Sequence, residues 1–139
     1  MAQFFNKSNR LQLLIPVLNQ IHKVQAQTNR PLRILDVGCG TGMHAHYLAS
    51  LGHQVVAVEP LPEMIAEGQK SFNHSNLKFI NDELPQLISL EGQQFDLIYS
   101  VAVFQYVQAE DRQAAMNRMI NLFLPGGSLA IIWPPTITS

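Results

Sequence analysis

Short apolar runs alternate along the chain with stretches of helical spacing. Five runs of apolar and β-branched residues predict buried parallel strands at residues 33–37, 54–59, 77–80, 95–100 and 128–133. The intervening segments predict helices at about residues 8–28, 43–51, 62–71 and 110–123. This alternation predicts a doubly wound α/β fold, with a mostly parallel sheet of about five strands and helices on both faces.

Proline and glycine refine the expected boundaries. Pro16 lies inside the first helical pattern, so it predicts either a kink or the true start of that helix. Pro62 suits the first residue of a helix, and Gly52 suits a helix end. The run Pro125-Gly126-Gly127 predicts a turn before the fifth strand.

Composition narrows the class of protein. The chain has 139 residues, of which 47% are hydrophobic and 14% charged, as expected for one folded domain. The formal charge is −1 and no block of like charge occurs, so no nucleic-acid partner is indicated. Cys39 is the only cysteine, and neither a signal-peptide pattern nor a bilayer-spanning run is found. We therefore expect a cytoplasmic protein with no membrane partner.

A glycine-rich segment between the first strand and the next helix carries the strongest chemical signal. It reads Ile-Leu-Asp-Val-Gly-Cys-Gly-Thr-Gly over residues 34–42. Glycines at alternate positions let the backbone approach a ligand closely, and Asp36 stands two residues before the first of them. The usual dinucleotide fingerprint requires a glycine where Met43 stands. The pattern therefore disfavours a nicotinamide cofactor and favours a positively charged nucleoside.

Four separated segments together carry a family resemblance: residues 34–42, 55–60, 95–100 and 124–129. In this order and spacing they resemble the class I S-adenosylmethionine-dependent methyltransferases, over residues 32 to 133. The resemblance implies a Rossmann-like fold, S-adenosylmethionine as cofactor, S-adenosylhomocysteine as product, and an unidentified acceptor, expected to be a small molecule. It divides the one domain into an N-terminal helical segment, 1–30, and the cofactor-binding core, 31–139.

The resemblance also implies which residues contact the cofactor. They follow the ends of the first four strands: Asp36, Gly38, Cys39, Gly40, Gly42, Glu59, Pro60, Asp82, Glu83, Ser100 and Val101. Asp36 is expected to face the ligand ammonium and Glu59 the ribose hydroxyls. Asp82 and the backbone of Glu83 are expected at the adenine, and Ser100 and Val101 at the methionine end. Alternatively, Asp36 caps the following helix, Glu59 lies in a surface turn, and Asp82 is a solvated loop carboxylate.

The catalytic group is less well indicated. Methyl transfer from a sulfonium needs a general base only when the acceptor starts protonated. Related sequences often carry histidines where Gln105 and Tyr106 stand, which leaves Tyr106 as the candidate base. His44 and His46 lie two residues apart on a predicted helix and so face different sides. We expect helix packing for His44 and no metal site.

The two ends of the chain leave alternatives open. Residues 4–14 form either a lid, with Arg10 at the methionine carboxylate, or an amphipathic helix beside the sheet with Arg10 in solvent. The family sheet normally continues beyond the fifth strand, which predicts an exposed apolar edge covered by a second copy, as a homodimer, or by residues 134–139. The leading function is methyl transfer. The alternative is a non-catalytic module that binds the cofactor or a partner chain, with a nicotinamide-dependent oxidoreductase in third place.

Overall fold

The computed structural model of the protein describes residues 11–133. Its helices and strands follow one another as α1 (Ile15–Thr28), β1 (Arg33–Val37), α2 (Met43–Ser50), β2 (Gln54–Glu59), α3 (Pro62–Ser71), β3 (Leu77–Asn81), β4 (Phe95–Val101), α4 (Arg112–Asn121) and β5 (Phe123–Ile132). The strands form a five-stranded sheet in the order β3-β2-β1-β4-β5, and each neighbouring pair is parallel. This confirms the predicted doubly wound, Rossmann-like fold.

Two apolar cores lie on opposite faces of the sheet. On one face, side chains of α1 and α2, including Val17 and Leu48, pack against alternate strand residues such as Ile34 and Leu97. On the other face, α4 packs with the intervening strand positions. Because parallel strands are buried on both faces, their sequences are nearly continuous apolar runs, which is why the strands were predictable.

The order of the strands determines where a ligand can bind. From β1 the chain moves outward through β2 to β3, and then returns to the other side of β1 as β4. The connections after β1 and β4 therefore diverge and leave a crevice at the carboxyl ends of these two strands. Doubly wound folds bind their ligands at such a switch point.

Several predicted boundaries are corrected. Pro16 stands in the first turn of α1, so it marks a helix start rather than a kink. The helix predicted at residues 110–123 spans Arg112–Asn121 and follows a 3₁₀ turn, Ala109–Asp111. The fifth strand begins at Phe123, not residue 128, and the predicted turn at residues 125–127 is an irregularity within it. Phe95 already pairs with Phe123 before the register shifts, so the strand begins ahead of the glycines.

The predictions for the two ends have different outcomes. Residues 4–10 of the proposed lid, including Arg10, and residues 134–139 lie outside the described part of the chain. Within it, α1 packs directly beside the sheet, and Gln20 Nε2 in α1 donates to Ser128 Oγ of β5 over 3.0 Å. Among residues 11–133, helices lack the combined length and apolar character that crossing a bilayer requires. The division into residues 1–30 and 31–139 stays a prediction.

Candidate functional site

A cavity of about 390 Å³ opens at the carboxyl ends of the strands. This volume lies within the range of small-molecule sites. The cavity wall includes Gly38 after β1, Pro60 after β2, Asp82 and Glu83 after β3, and Tyr106 beyond β4. These five residues were predicted from the sequence, and the fold brings them to one place although they lie far apart in the chain.

The glycine loop, residues 38–42, is held against the end of β2. The backbone N–H groups of Gly38 and Cys39 both donate to the carbonyl oxygen of Val58, over 2.8 and 2.9 Å. Gly38 has a φ of +78°, and a Cβ there would lie 2.5 Å from Cγ2 of Val103. Glycine is therefore required both by the backbone conformation and by the close approach of the segment after β4.

The far end of the same loop is equally close-packed. A Cβ on Gly42 would lie 2.7 Å from the ring of Phe79 in β3. Gly40 lies between these two points, and among residues 11–133 an added Cβ there would have only Met64 Cε within 4 Å, at 3.9 Å. The loop is thus fixed at both ends and has free space at its centre.

Glu59 links the glycine loop to the end of β2. Its side chain is buried, with 7% of the residue exposed. Oε1 accepts from the N–H of Gly40 over 2.9 Å, and Oε2 accepts from the N–H of Leu61 over 3.1 Å. Each oxygen keeps a further lone pair for a ligand. This is a buried site carboxylate, not one in a surface turn, and its contact with a ribose stays a prediction.

Asp36 is buried beneath the loop, with 3% of its surface exposed. Its Oδ2 accepts a hydrogen bond of 2.7 Å from the hydroxyl of Tyr99 in β4. Burial raises the pKa of Asp36 to about 7, the Tyr99 hydrogen bond acts in the opposite direction, and the charge of Glu59 raises the pKa further. Asp36 does not cap α2, because Gly42 occupies the N-cap position and no side chain bonds there.

Cys39 contributes a neutral thiol to the loop. Burial is the main cause that raises the pKa of this thiol, and the charges of Asp36 and Glu59 raise it further. Its Sγ donates to the Gly40 carbonyl oxygen over 3.4 Å. The side chain therefore belongs to the loop structure and is not an activated nucleophile.

The loop after β3 is shaped by Asp82. Its Oδ1 accepts from the N–H of Glu83 and its Oδ2 from the N–H of Ser89, both over 2.8 Å. The N–H expected to complete an adenine contact is thus already bonded to Asp82. Both residues line the cavity, and their contacts with an adenine stay predictions.

Unpaired polar atoms lie at the end of β4. Ser100 Oγ and Gln105 Oε1 are buried and have no hydrogen-bond partner within the described part of the chain. Between them, Ala102 has a φ of +58°, and its carbonyl oxygen accepts from Gln105 Nε2 over 2.8 Å. Buried unpaired atoms beside a strained residue are typical of a ligand site. Val101 ends β4 here, whereas Tyr106 is 79% exposed at the cavity mouth.

Comparison with known proteins decides the family. The family model described as "Methyltransferase domain" matches residues 34–127. The chain belongs to this methyltransferase family. The predicted resemblance is thereby confirmed.

Two relatives and one solved structure illustrate the relationship. The methyltransferase domain is 30% identical over 99 residues to an uncharacterised methyltransferase of Mycobacterium tuberculosis (strain ATCC 25618 / H37Rv), covering 71% of this chain and 49% of that protein. It is 30% identical over 113 residues to the mitochondrial ubiquinone biosynthesis O-methyltransferase of Homo sapiens, covering 76% of this chain and 30% of that one. This chain therefore spans half or less of either relative.

The solved structure shows the same fold. The plantazolicin methyltransferase BpumL, in complex with a triazolic desmethylPZN analog and SAH, superposes with a TM-score of 0.77 at 17% identity. The alignment covers 94% of this chain and 50% of that one.

Sequence reasoning missed two residues of the candidate site. Tyr99 donates a hydrogen bond to Asp36, and the ring of Phe79 lies against Gly42. Tyr99 had a signal, because a tyrosine inside a buried strand requires a partner for its hydroxyl. Phe79 carried none, since an apolar residue gives no indication of the glycine that it packs against.

The histidines and acids give no sign of a metal centre. Within residues 11–133, no group of three or more His, Cys, Asp or Glu side chains is arranged to hold an ion. His46 makes ring contacts with Phe72 and His74, at centroid distances of 5.5 and 5.9 Å.

Proposed function

We propose that this methyltransferase domain binds S-adenosylmethionine and transfers its methyl group to a small-molecule acceptor. One observation carries the proposal: the glycine loop, Asp36 and Glu59 converge at the carboxyl ends of β1 and β2 beside the cavity. A cationic nucleoside with a ribose diol matches two buried carboxylates and a glycine-lined wall. The relative named for ubiquinone biosynthesis and the neighbour solved with SAH support this ligand class.

The residues present fit the cofactor. The orphaned Ser100 Oγ and the open space at Gly40 are features that a ligand would use. In this proposal Asp36 faces the ammonium, Glu59 the ribose hydroxyls, and Asp82 with Glu83 the adenine. Ser100 and Val101 flank the methionine end.

Little further chemistry is required of the chain. The bound cofactor supplies an activated methyl group on a sulfonium, so the protein orients the acceptor and excludes water. Tyr106, at the cavity mouth, is the candidate base for an acceptor that starts protonated. The alternative is a module that binds the cofactor in the same way but does not transfer the methyl group.

A calorimetric titration tests the proposal. We expect S-adenosylmethionine and S-adenosylhomocysteine to bind, and NAD not to bind. A ligand at a hundredfold excess over its Kd should also stabilise the fold by about 2.7 kcal/mol. If neither of the first two ligands binds, the proposal is wrong. If both bind but no methyl group reaches any acceptor offered, the module is favoured.

The variant Glu59→Gln, titrated in the same way, tests whether Glu59 contacts the ligand. Loss of a charged acceptor should raise the Kd of S-adenosylhomocysteine at least about tenfold, the value for a hydrogen bond to a charged group. The matched control is Glu63→Gln, an exposed carboxylate in the first turn of α3. Equal affinities for both variants would remove Glu59 from the site.

We also propose a cytoplasmic homodimer that pairs through β5. Residues of β5 such as Leu129 and Ile131 are only partly buried at the sheet edge, and such an edge favours pairing with another chain. Sedimentation of the purified chain should give a dimer, with β5 amides protected from hydrogen exchange. A monomer with these amides unprotected would contradict the proposal.

A further inference from the structure

We propose that Tyr99 is a positioning residue for the methyl donor. Its hydroxyl holds one oxygen of Asp36 and so presents the other oxygen to the ammonium group of the donor. The inference rests on the proposed function, and it assigns a role to a side chain that does not itself touch the ligand.

The register of the sheet creates this pair. Asp36 in β1 lies directly opposite Tyr99 in β4. Tyr99 is fully buried, and its hydroxyl donates to Asp36 Oδ2 over 2.7 Å, a distance typical of a strong O–H···O bond. Among residues 11–133, Tyr99 is the hydrogen-bond donor that acts on the Asp36 carboxyl group, and it does so at Oδ2. One oxygen is therefore fixed and the other is left for a ligand.

Among residues 11–133, no positively charged group acts on Asp36. The groups acting on it are the hydroxyl of Tyr99 from β4 and the carboxylate of Glu59 from β2, with the thiol of Cys39 in the glycine loop also close enough to interact. No lysine or arginine in the described part of the chain forms an ion pair with it. Buried carboxylates are rarely left unpaired. An ammonium group arriving with the ligand would complete this arrangement.

A core contact alone would not need the hydroxyl. Tyr99 packs among Leu97, Ile34 and other apolar side chains, where a phenylalanine would fill the same volume. Burying a hydroxyl and a carboxyl group is costly unless each is bonded to a partner. Asp36 lies two residues before Gly38, which lines the cavity.

Protonation gives the arrangement a measurable signature. The pKa of Asp36 lies at about 7, chiefly because of burial, and the bond from Tyr99 holds it lower than burial alone would. A cationic ligand requires the charged carboxylate, so below this pH binding must release a proton. The affinity for an ammonium-bearing ligand should fall by up to about tenfold for each pH unit below 7. Without the Tyr99 hydroxyl, this fall should begin at a higher pH.

The test compares two ligands across pH 5.5 to 7.5. S-adenosylhomocysteine carries the ammonium group, and 5′-methylthioadenosine has the same nucleoside thioether without the amino-acid end. For Tyr99→Phe, we expect the Kd of the first ligand to rise about tenfold at pH 7. Its pH midpoint should move upward, and the Kd of the second ligand should stay unchanged. Tyr47→Phe, which removes a phenol from the outer side of α2, is the control and should leave both affinities within twofold.

Each contrary outcome is informative. Unchanged affinity of Tyr99→Phe for S-adenosylhomocysteine would overturn the positioning role, and equal losses for both ligands would reduce Tyr99 to a structural residue. If Tyr99→Phe does not fold, the wild-type protein decides, because a pH-independent ratio of the two affinities also overturns the inference. Failure of both ligands to bind the wild-type protein would instead refute the proposed function.

Discussion

The neighbouring strands β1 and β4 each bury one aspartate, at opposite ends of the sheet. Asp96 lies at the start of β4, where its carboxylate accepts two hydrogen bonds of 2.9 Å from the guanidinium of Arg30. It also accepts one of 2.8 Å from the backbone N–H of Arg33. Asp36 lies near the end of β1 and, within the described part of the chain, accepts a single hydrogen bond, from Tyr99. Both aspartates are 3% exposed, but Asp36 lies deep in the protein, whereas Asp96 lies nearer the surface beside the half-exposed Arg30.

Their partners give the two carboxyl groups opposite proton affinities. Burial alone would raise the pKa of Asp96, but the bonds from Arg30 and the Arg33 backbone hold it below its usual value. At Asp36 burial prevails and the pKa rises to about 7. The carboxylate of Asp96 receives its hydrogen bonds from the protein and so stabilises the fold. The carboxylate of Asp36 receives one hydrogen bond and can accept others from a ligand. The number of hydrogen-bond donors thus distinguishes Asp96, at the structural end of the sheet, from Asp36, at the end that carries the candidate site (the functional end).

The largest expected effect on stability comes from replacing Asp96, at the structural end of the sheet. Asp96→Ala should lower the free energy of unfolding by about 2–4 kcal/mol, because it removes the acceptor of three charge-assisted hydrogen bonds, two from Arg30 and one from the backbone N–H of Arg33. Urea unfolding at pH 7 measures this loss. Since the pKa of Asp96 is depressed, its contribution is complete above about pH 4 and disappears as the pH falls below that value.

The control for Asp96 is an exposed ion pair. Glu91, whose side chain is 85% exposed, lies 3.2 Å from Arg118, and Glu91→Ala should change stability by less than about 1 kcal/mol. Asp96→Ala should leave the affinity for S-adenosylhomocysteine unchanged in the folded protein. A strong loss of ligand affinity in this variant would break the distinction between the two ends.

Much of the fold followed from the sequence, because parallel strands buried on both faces are continuous apolar runs. The runs at residues 34–37 and 55–58 therefore gave β1 and β2 with the observed bounds. The predicted start of β5 was wrong because the observed start depends on pairing with β4. Phe123 becomes a strand residue only by lying beside Phe95, and no local pattern near Pro125 contains that information.

The residues of the candidate site also divide into those that the sequence predicted and those that depend on strand pairing. Gly38, Pro60 and Asp82 were predicted because their types and order carry the chemistry, and all three line the cavity, whereas their contacts with a ligand stay predictions. Tyr99 was not found, because it meets Asp36 across more than sixty residues of chain, through the pairing of β1 with β4. A sequence motif names the residues that touch a ligand more readily than those that position them.

Asp36, at the functional end, should have a smaller effect on the free energy of unfolding, with a pH dependence opposite to that of Asp96. In the ligand-free protein the raised pKa of Asp36 means that folding favours the protonated acid. The free energy of unfolding therefore falls as the pH rises from about 4 to 7. Asp36→Asn removes this titration. Relative to the wild type, the variant should gain about 2 kcal/mol between pH 5.5 and 7, and nothing further above that range.

Urea unfolding of the two proteins at matched pH values measures this gain, because the titrations of groups that do not interact with Asp36 cancel in the difference. Any fixed cost of burying an amide shifts the whole curve without changing its slope. A flat difference would mean that Asp36 is already charged in the ligand-free protein. Its surroundings would then hold a donor or cation equivalent to Arg30, and the contrast with Asp96 would be wrong. A rising difference together with weakened binding of S-adenosylhomocysteine would identify Asp36 as a carboxylate destabilised in the fold and stabilised by its ligand.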